Sequence, residues 1–337
     1  MTIRMSRAWR VHSYDAGSLP SLDLLPVPEP GPGEVRIRVY ASAISFVDLL
    51  LASGGYQWKP SPPFVPGSEF SGVVESLGTG DTLGLRVGDR VCGVRQGAWT
   101  EMLCLPASAA ARLASADEPI DRENWAIEAA ALMAPYATAL YALRERAQLR
   151  AGETILVLGA TGSVGYAAIQ LGKVLGAHVI AAVRDPSKRD PVLAAGANSV
   201  IVTHDGWKDE AKSLAGKAGV DVVFDTVGGD ATDVAFRTLG WRGRHLMVGF
   251  AGGHIPALKA NLAIVKGAGL LGVDYRQAAQ KEHEITRKVQ QDVLRLYKDG
   301  CLHPPIYSCF GLERLSEAAD LVRQRNSIGR VVLDLRA

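Results

Sequence analysis

The feature that most constrains this chain is a glycine-rich turn at residues 159–165, between a short apolar run and an amphipathic segment. Ile155 to Leu158 form the run, and glycines follow at positions 159, 162 and 165. Apolar residues then recur at helical spacing, from Val164 to Leu175. The pattern predicts a strand, a tight turn and a helix in that order.

The three glycines have a chemical explanation. In such a turn one glycine permits the sharp bend, one lets backbone N–H groups approach a pyrophosphate, and one lets the helix pack closely on its strand. The phosphates then lie at the positive end of a helix. Because the strand and the helix accompany the glycines, the sequence favours a dinucleotide site. Its predicted residues are Gly159, Ala160, Thr161, Gly162, Ser163, Val164 and Gly165.

Length and charge limit the remaining possibilities. The 337 residues are enough for two domains, and a net charge of +2 offers no electrostatic case for nucleic acid or an anionic membrane. The most apolar window, 126–143, contains Glu128 and Pro135 and is interpreted as a buried helix. We expect no signal peptide, no disulfide framework and a cytoplasmic location.

The first 120 residues are predicted to be rich in strands. Val35, Ile37 and Val39 alternate with polar residues, as in a half-buried strand. Further strands are expected at 71–77, 90–94 and 99–105, which together suggest a small barrel.

The chain changes character at residue 125. A helix over 125–146 is predicted to lead into the glycine turn, after which strands and helices alternate as in a parallel sheet covered on both faces. The predicted strands are 154–159, 178–183, 199–202, 221–226, 245–250 and 269–273. A long charged helix is expected over 277–298. The predicted fold is α/β: a β-barrel domain of residues 1–124, completed by 300–337, and a doubly wound parallel sheet over 125–299.

Several segments carry a resemblance to a known family. Besides the glycine turn, they are PEPGPGEV at 28–35, AISFVD at 43–48, PGSEFSGVV at 66–74, VGDRV at 87–91, DTVGG at 225–229 and GRVVL at 329–333. With them the chain resembles the zinc-free branch of the medium-chain dehydrogenase/reductase superfamily, close to the NADPH:quinone oxidoreductases (zeta-crystallin-like). The resemblance implies a GroES-like barrel joined to a Rossmann domain, with the active site in the cleft between them.

The resemblance also bears on metal binding. Zinc-dependent relatives have a cysteine where Ser45 stands, a histidine where Ser68 stands and a further cysteine near Met133. Serine hydroxyls are poor zinc ligands, so we expect no metal. Without a Lewis acid the substrate must already be electrophilic, as quinones and α,β-unsaturated carbonyl compounds are.

The residues after the second strand of the parallel sheet indicate which dinucleotide the site prefers. No acid ends the strand at Val183, and the cations Arg184, Lys188 and Arg189 follow it. Such cations can hold a ribose 2′-phosphate, which favours NADPH, and the resemblance supports the same choice through Lys188. The alternative is that they are solvated charges of a loop.

Asp185 leaves a second alternative open in that turn. Its carboxylate could accept a hydrogen bond from a ribose 2′-OH, or it could cap a helix with Pro186 at the first position. Pro191 is expected to delay the helix to a cap at Asp190.

Further cofactor residues are predicted from resemblance and from strand ends. The resemblance implies that Thr138 holds the nicotinamide amide, although a helical threonine often bonds a carbonyl of its own helix. Loops at the carboxyl edge of the sheet, where α/β proteins bind ligands, contribute Asp225, Val227, Gly249, Phe250 and Ala251. In the family, the motifs that contain Asn261 and Arg330 lie beside the cofactor. Each of these residues could equally belong to an ordinary turn or surface.

The catalytic candidates are Tyr56, Ser45, Asp48 and Tyr275. Hydride addition to a quinone or enone builds negative charge on oxygen, which hydroxyl or N–H donors stabilise. Tyr56 could be only a surface aromatic, and Asp48 is favoured as a support for backbone N–H groups. No histidine lies on a recognised catalytic motif, so all seven are interpreted as structural or exposed.

The leading hypothesis is an NADPH-dependent reductase of quinones or α,β-unsaturated carbonyl compounds. The alternatives are an enoyl-thioester reductase and a nucleotide-binding protein without enzymatic activity, as in crystallin or RNA-binding reuse of this fold. The expected partner is a small electrophilic substrate, with neither nucleic acid nor membrane. The resemblance implies a homodimer through the sheet edge near residues 269–273.

Overall fold

The computed structural model describes residues 3–15, 20–120 and 122–336. The strands are, in chain order, β1 (Met5–Arg10), β2 (Ser21–Pro26), β3 (Glu34–Ile44), β4 (Glu69–Leu77), β5 (Arg90–Val94), β6 (Met102–Pro106), β7 (Ala111–Ala114), β8 (Thr154–Leu158), β9 (His178–Val183), β10 (Ser199–Val202), β11 (Val220–Asp225), β12 (Leu239–Met247), β13 (Gly269–Gly272), β14 (Ile306–Gly311) and β15 (Arg330–Asp334).

The α-helices are α1 (Phe46–Ala52), α2 (Trp125–Ala130), α3 (Met133–Leu140), α4 (Ser163–Val174), α5 (Arg189–Ala194), α6 (Trp207–Ala215), α7 (Asp230–Phe236), α8 (Asn261–Lys266), α9 (Tyr275–Lys281), α10 (His283–Lys298) and α11 (Leu315–Arg323). Along the described ranges, no helix combines the length and the apolar character needed to cross a bilayer.

The chain divides into two compact units, Met1–Ala134 with Pro304–Ala337, and Pro135–His303. In the first unit a seven-stranded sheet has the order β14-β15-β3-β4-β5-β7, with β6 also paired to β3. Its neighbours are antiparallel except β14 and β15, which run parallel. The alternating residues of β3 predicted to face inward, Val35, Ile37 and Val39, are buried in the core of this unit.

The second unit is built on a parallel sheet with the order β10-β9-β8-β11-β12-β13. The order reverses direction between β8 and β11, so the carboxyl ends of these two strands flank the crevice where such sheets bind ligands. Both sheets together confirm the predicted α/β class. Their strands lie close to the predicted positions, although β12 begins well before residue 245.

Two predicted helices are interrupted. The helix expected over 125–146 is α2, then α3, then a π-helical stretch at Tyr141–Arg146. α3 restarts with Pro135 in its first turn, where a missing N–H costs nothing, and the Glu69 carboxylate accepts a hydrogen bond from the Ala134 amide (3.1 Å). The helix expected over 277–298 breaks at Glu282, whose extended φ of −128° separates α9 from α10.

Candidate nucleotide-binding site

The glycine turn lies at the carboxyl end of β8 and opens α4. A Cβ atom on Gly159, which has φ +71°, would overlap the Thr226 hydroxyl, and one on Gly165 would overlap the carbonyl of Gly159. The first glycine is therefore required by the bend and the third by the close packing of α4 on the turn. A Cβ on Gly162 would find its nearest atom 3.4 Å away, in front of the helix N-terminus.

This geometry fits a pyrophosphate. Gly162 is the N-cap of the twelve-residue α4 and has no side chain to occupy the space beside the first turn. The N–H groups of a helix start and its dipole both favour a phosphate there. Ala160 is buried, whereas Thr161, Ser163 and Val164 are half-buried around the same opening.

The predicted cations lie in the turn that follows β9. Arg184 is exposed and Lys188 is half-buried. Arg189 is directed elsewhere, since its Nη2 donates to the Val200 carbonyl (2.6 Å). The turn therefore leaves Arg184 and Lys188 as its candidate phosphate-binding residues.

Asp185 acts as a cap in this turn. Its Oδ1 accepts a hydrogen bond from the Ser187 amide (2.9 Å), with Pro186 at the first position of a short 3₁₀ turn, and this bond lowers the pKa of its carboxyl. The prediction of a cap at Asp190 is wrong. α5 begins at Arg189, because a proline at its third residue lies where no intrahelical N–H bond is needed.

Asp225 ends β11 and is fully buried. Its Oδ1 accepts hydrogen bonds from the amides of Val227 (2.8 Å) and Gly228 (2.9 Å), and its Oδ2 accepts from the Thr232 hydroxyl (2.7 Å) and His245 Nε2 (3.0 Å). Burial alone would raise the pKa of Asp225, but these hydrogen bonds outweigh burial and hold the pKa below its ordinary value. Asp225 was predicted as a cofactor residue at this strand end, and the structure shows its carboxylate bonded to the loop that follows β11.

That loop abuts the glycine turn. The Thr226 hydroxyl donates to the Leu158 carbonyl (3.1 Å), and Val227 is half-buried next to Gly159. The next loop is joined to it by backbone hydrogen bonds from Ala251 to Thr226 (3.0 Å) and from Gly252 to Val227 (2.8 Å). The structure thus brings predicted residues from three strand ends to one edge of the sheet.

Other predicted cofactor residues are placed at several positions in the second unit. Gly249 is half-buried, and Phe250 and Ala251 are exposed. Asn261 is exposed at the first turn of α8, and Thr138 is half-buried on α3. Along the described ranges the Thr138 hydroxyl makes no hydrogen bond to its helix, so the back-bonding alternative is not what the structure shows.

Ser45 and Asp48 form a capping box at the start of α1. Asp48 Oδ2 accepts from the amide (2.8 Å) and the hydroxyl (2.6 Å) of Ser45, and the Asp48 amide donates back to Ser45 Oγ (3.1 Å). Asp48 is fully buried, and burial raises the pKa of its carboxyl despite hydrogen bonds from Ser45 and Ser68. Asp48 therefore supports backbone, as favoured above, while Ser45 stays half-buried. Tyr56 is half-buried in the loop after α1.

Arg330 requires a correction. Instead of edging a cofactor, its side chain is buried and its guanidinium forms an ion pair with the buried carboxylate of Glu69. Glu69 lies within the PGSEF motif, and an acid directly before the apolar start of a strand was the available signal for this pair.

Tyr275 also departs from its predicted role. Its ring packs edge-on against Tyr141 with centroids 5.7 Å apart, its hydroxyl lies 3.5 Å from the Thr286 carbonyl, and burial raises its pKa to about 12. These contacts make it a helix-packing residue rather than a free hydroxyl donor.

His245 is the residue that sequence reasoning missed, since no motif marks it.

The side chains that could ligate a metal are dispersed in this structure. Over residues 3–15, 20–120 and 122–336, no three His, Cys, Asp or Glu side chains are grouped as metal ligands. Ser45 and Ser68 stand where the zinc-dependent pattern needs a thiolate and an imidazole.

Comparison with known proteins agrees with this architecture. Residues 31–115 match the alcohol dehydrogenase GroES-like domain, and residues 163–291 match the zinc-binding dehydrogenase family. The mouse (Mus musculus) quinone oxidoreductase-like protein 2 is 36% identical over 310 residues, covering 91% of this chain and 86% of the relative.

Solved structures give the same result. A probable oxidoreductase from Mycobacterium abscessus superposes with a TM-score of 0.85 at 32% identity, over 99% of this chain and all of the other. A mycobacterial protein solved in complex with NADPH gives a TM-score of 0.83 at 27% identity, over 97% of this chain and 99% of the other.

Proposed function

Because the chain belongs to the quinone oxidoreductase family of the medium-chain dehydrogenase/reductase superfamily, we propose that this oxidoreductase uses NADPH to reduce quinones or α,β-unsaturated carbonyl compounds. The observation that carries the proposal is the glycine turn at the carboxyl end of β8: a Cβ on Gly162, the N-cap of α4, would meet nothing closer than the Gly159 carbonyl oxygen at 3.4 Å, so a phosphate can approach the helix N-terminus. A nicotinamide dinucleotide would supply the hydride from its C4.

The residues of the second unit would hold this cofactor in three places. The glycine turn and the start of α4 would bind the pyrophosphate through backbone N–H groups. Lys188 and Arg184 would pair with a ribose 2′-phosphate, which selects NADPH over NADH. Thr138 would orient the nicotinamide amide through its half-buried hydroxyl.

The donor set argues for chemistry without a metal. A hydroxyl at position 45 and another at position 68 cannot replace thiolate and imidazole as zinc ligands. A carbonyl that needs a Lewis acid for activation would not react, whereas a quinone or a conjugated carbonyl is electrophilic by itself. The half-buried hydroxyl of Tyr56 is the proposed donor to the developing oxyanion, because the single O–H of Ser45 already donates to Asp48 Oδ2.

A substrate panel tests the proposal. NADPH absorbance is followed with an ortho-quinone, an enone, an enoyl thioester and a simple aldehyde, with and without a strong chelator. The expected result is chelator-insensitive turnover of the quinone or the enone, without turnover of the aldehyde. Preference for the enoyl thioester would favour that alternative, whereas binding of NADPH without any turnover would favour a non-enzymatic nucleotide-binding protein.

We also propose a homodimer through the edge of the parallel sheet. β13 is the last strand in the sheet order, and Leu270 on it is about half exposed. Trp241 on the neighbouring strand β12 is 75% exposed, and Ile264 and Val265 on α8, the helix that precedes β13, are 82% and 71% exposed. An unpaired edge flanked by large apolar side chains is typical of a surface that another chain covers.

A further inference from the structure

A buried contact between His245 and Asp225 joins β12 to the end of β11 inside the second unit. His245 lies on β12, is fully buried, and its ring stacks on Phe236 of α7 with centroids 5.9 Å apart. Its Nε2 is 3.0 Å from Asp225 Oδ2. Since an ionised carboxylate only accepts hydrogen bonds, Nε2 carries the proton and donates it to Asp225.

Among the residues that the structure describes, the other ring nitrogen of His245 is left without a hydrogen bond, which makes histidine a costly choice at this position. His245 Nδ1 is buried, and within the described part of the chain it has no hydrogen-bond partner. A buried polar atom without a partner costs free energy, so His245 is an expensive residue at a position where a leucine would pack at no such cost. Among residues 3–15, 20–120 and 122–336, Asp225 is the one hydrogen-bond partner of its side chain.

The two oxygens of Asp225 do different work. Oδ2 receives the two side-chain donors, His245 and Thr232, whereas Oδ1 receives the two amides, Val227 and Gly228. Donors on Oδ2 keep the carboxylate ionised and fix its rotation, and this directs Oδ1 at the loop. The Asp225 carbonyl also accepts from the amides of Val248 (2.8 Å) and Gly249 (3.3 Å), so one residue anchors both loops.

We propose that His245 is a positioning residue of the nucleotide site: by holding the Asp225 carboxylate, it fixes the loop at Thr226–Gly229 against the glycine turn. The inference rests on the proposed nucleotide-binding function and adds a residue that touches neither the cofactor nor the substrate. If the loop shifted, it would enter the space of the dinucleotide and weaken binding. A hydrogen bond that fixes the loop therefore favours binding, just as outer hydrogen-bond partners fix the orientation of the residues that ligate a metal.

The test compares three variants. His245→Leu removes the donor, His245→Gln keeps an N–H donor at about the same reach, and Thr238→Val is the matched control. Thr238 is equally buried in the same unit, and its hydroxyl donates to the Ala235 carbonyl (2.7 Å) rather than to Asp225. Loss of one charge-assisted bond corresponds to a Kd for NADPH that rises about tenfold in His245→Leu. We expect His245→Gln to stay within about threefold of wild type and Thr238→Val to bind like wild type, whatever its melting temperature.

Two readouts separate positioning from mere stability. Fluorescence titration with NADPH and with NADH should show the same loss for both, because β8 separates the strand before this loop from the strand before Arg184 and Lys188. Hydrogen exchange without cofactor should show faster exchange of the Val227 and Gly228 amides in His245→Leu but not in Thr238→Val. If His245→Leu does not fold, Thr232→Val removes the other donor from Oδ2 and should give the same signature.

The outcomes are distinct. The positioning role would be overturned if His245→Leu, or Thr232→Val in its place, leaves both the NADPH affinity and the exchange of the two amides unchanged. The proposed function would still stand in that case, provided that the wild-type protein binds NADPH. Failure of the wild-type protein to bind NADPH would overturn both.

Discussion

Glu69 and Arg330, 261 residues apart in sequence, form an ion pair that is buried in the first unit. Glu69 begins β4 and Arg330 begins β15, and both strands pair with β3. The pair therefore links the C-terminal strand to the N-terminal sheet across their shared neighbour. Glu69 also accepts the Ala134 amide at the start of α3, so one carboxylate serves two elements.

Breaking this pair should destabilise the protein strongly. Arg330→Met leaves the Glu69 carboxylate buried without its cation, and we expect the free energy of unfolding to fall by about 3–5 kcal/mol in urea titrations. Glu69→Gln with Arg330→Met removes both charges but keeps an acceptor for Ala134, so the double variant should recover part of the loss. A double variant less stable than Arg330→Met alone would contradict this explanation.

Asp48 should make the stability of the protein depend on pH. Burial raises the pKa of Asp48 above its ordinary value of 3.8, so between 3.8 and the folded pKa the native state holds a proton that the unfolded chain has lost. The unfolded state then binds fewer protons, and the free energy of unfolding falls as the pH rises through this range, by at most about 1.4 kcal/mol per pH unit. Asp48→Asn should flatten that slope, measured by urea unfolding at a series of pH values.

Ser45→Ala tests the same group from the other side. It removes a hydroxyl whose hydrogen bond lowers the pKa of Asp48, so it should cost about 1 kcal/mol and widen the pH range over which the free energy of unfolding falls. A slope that is unchanged in Asp48→Asn would mean that other groups carry the pH dependence.

The glycine turn separates folding from binding at two neighbouring positions. Gly162→Val places a Cβ no closer than 3.4 Å to its nearest atom, the Gly159 carbonyl oxygen, so the protein should fold and lose NADPH affinity by about a hundredfold or more in fluorescence titration, roughly the loss of two charge-assisted bonds. Gly165→Val instead drives a side chain into the Gly159 carbonyl and should lower the melting temperature or prevent folding. Equal stability of the two variants would show that the turn tolerates a shift of α4.

The local pattern was enough to predict the sheet of the second unit and its glycine turn. Strand, glycines and helix are adjacent in sequence, and each glycine has a steric reason that holds in any chain with this turn. For Asp185 the local pattern left two alternatives, and the structure shows the cap with Pro186 at the first position. Such features need no knowledge of distant residues.

The side-chain partners could not be predicted in this way. Arg330 meets Glu69, Asp225 meets His245, and Tyr275 meets Tyr141, each over a long separation in sequence. Nothing local distinguishes an arginine that edges a cofactor from one that is buried against an acid. For the same reason the hydrogen bond from the Ala134 amide, next to the interruption of the 125–146 helix, to Glu69 far upstream could not be predicted.

The cations after β9 should discriminate between the two nicotinamide cofactors. Arg184→Ala with Lys188→Ala removes positive charge from the exposed turn, and each lost charge-assisted bond corresponds to about a tenfold rise of the KM for NADPH. The KM for NADH should change little, as steady-state kinetics with both cofactors would show. Arg189→Ala is the control, because its guanidinium bonds the Val200 carbonyl and its loss should not separate the two cofactors. Equal effects of the double variant on both cofactors would displace the proposed phosphate site from this turn.

The exposed edge at β13 should determine the oligomeric state. A lysine or arginine on an edge strand opposes pairing with another strand, because its charge must be desolvated when the edge is covered. Leu270→Lys is therefore expected to convert a dimer to a monomer in light scattering after gel filtration, with little change in melting temperature at high dilution. Val87→Lys is the matched control, since Val87 is 58% exposed in the first unit and away from any strand edge. A wild-type protein that is monomeric at micromolar concentration, or a Leu270→Lys variant that stays dimeric, would show that the apolar residues around Trp241 do not form the subunit contact.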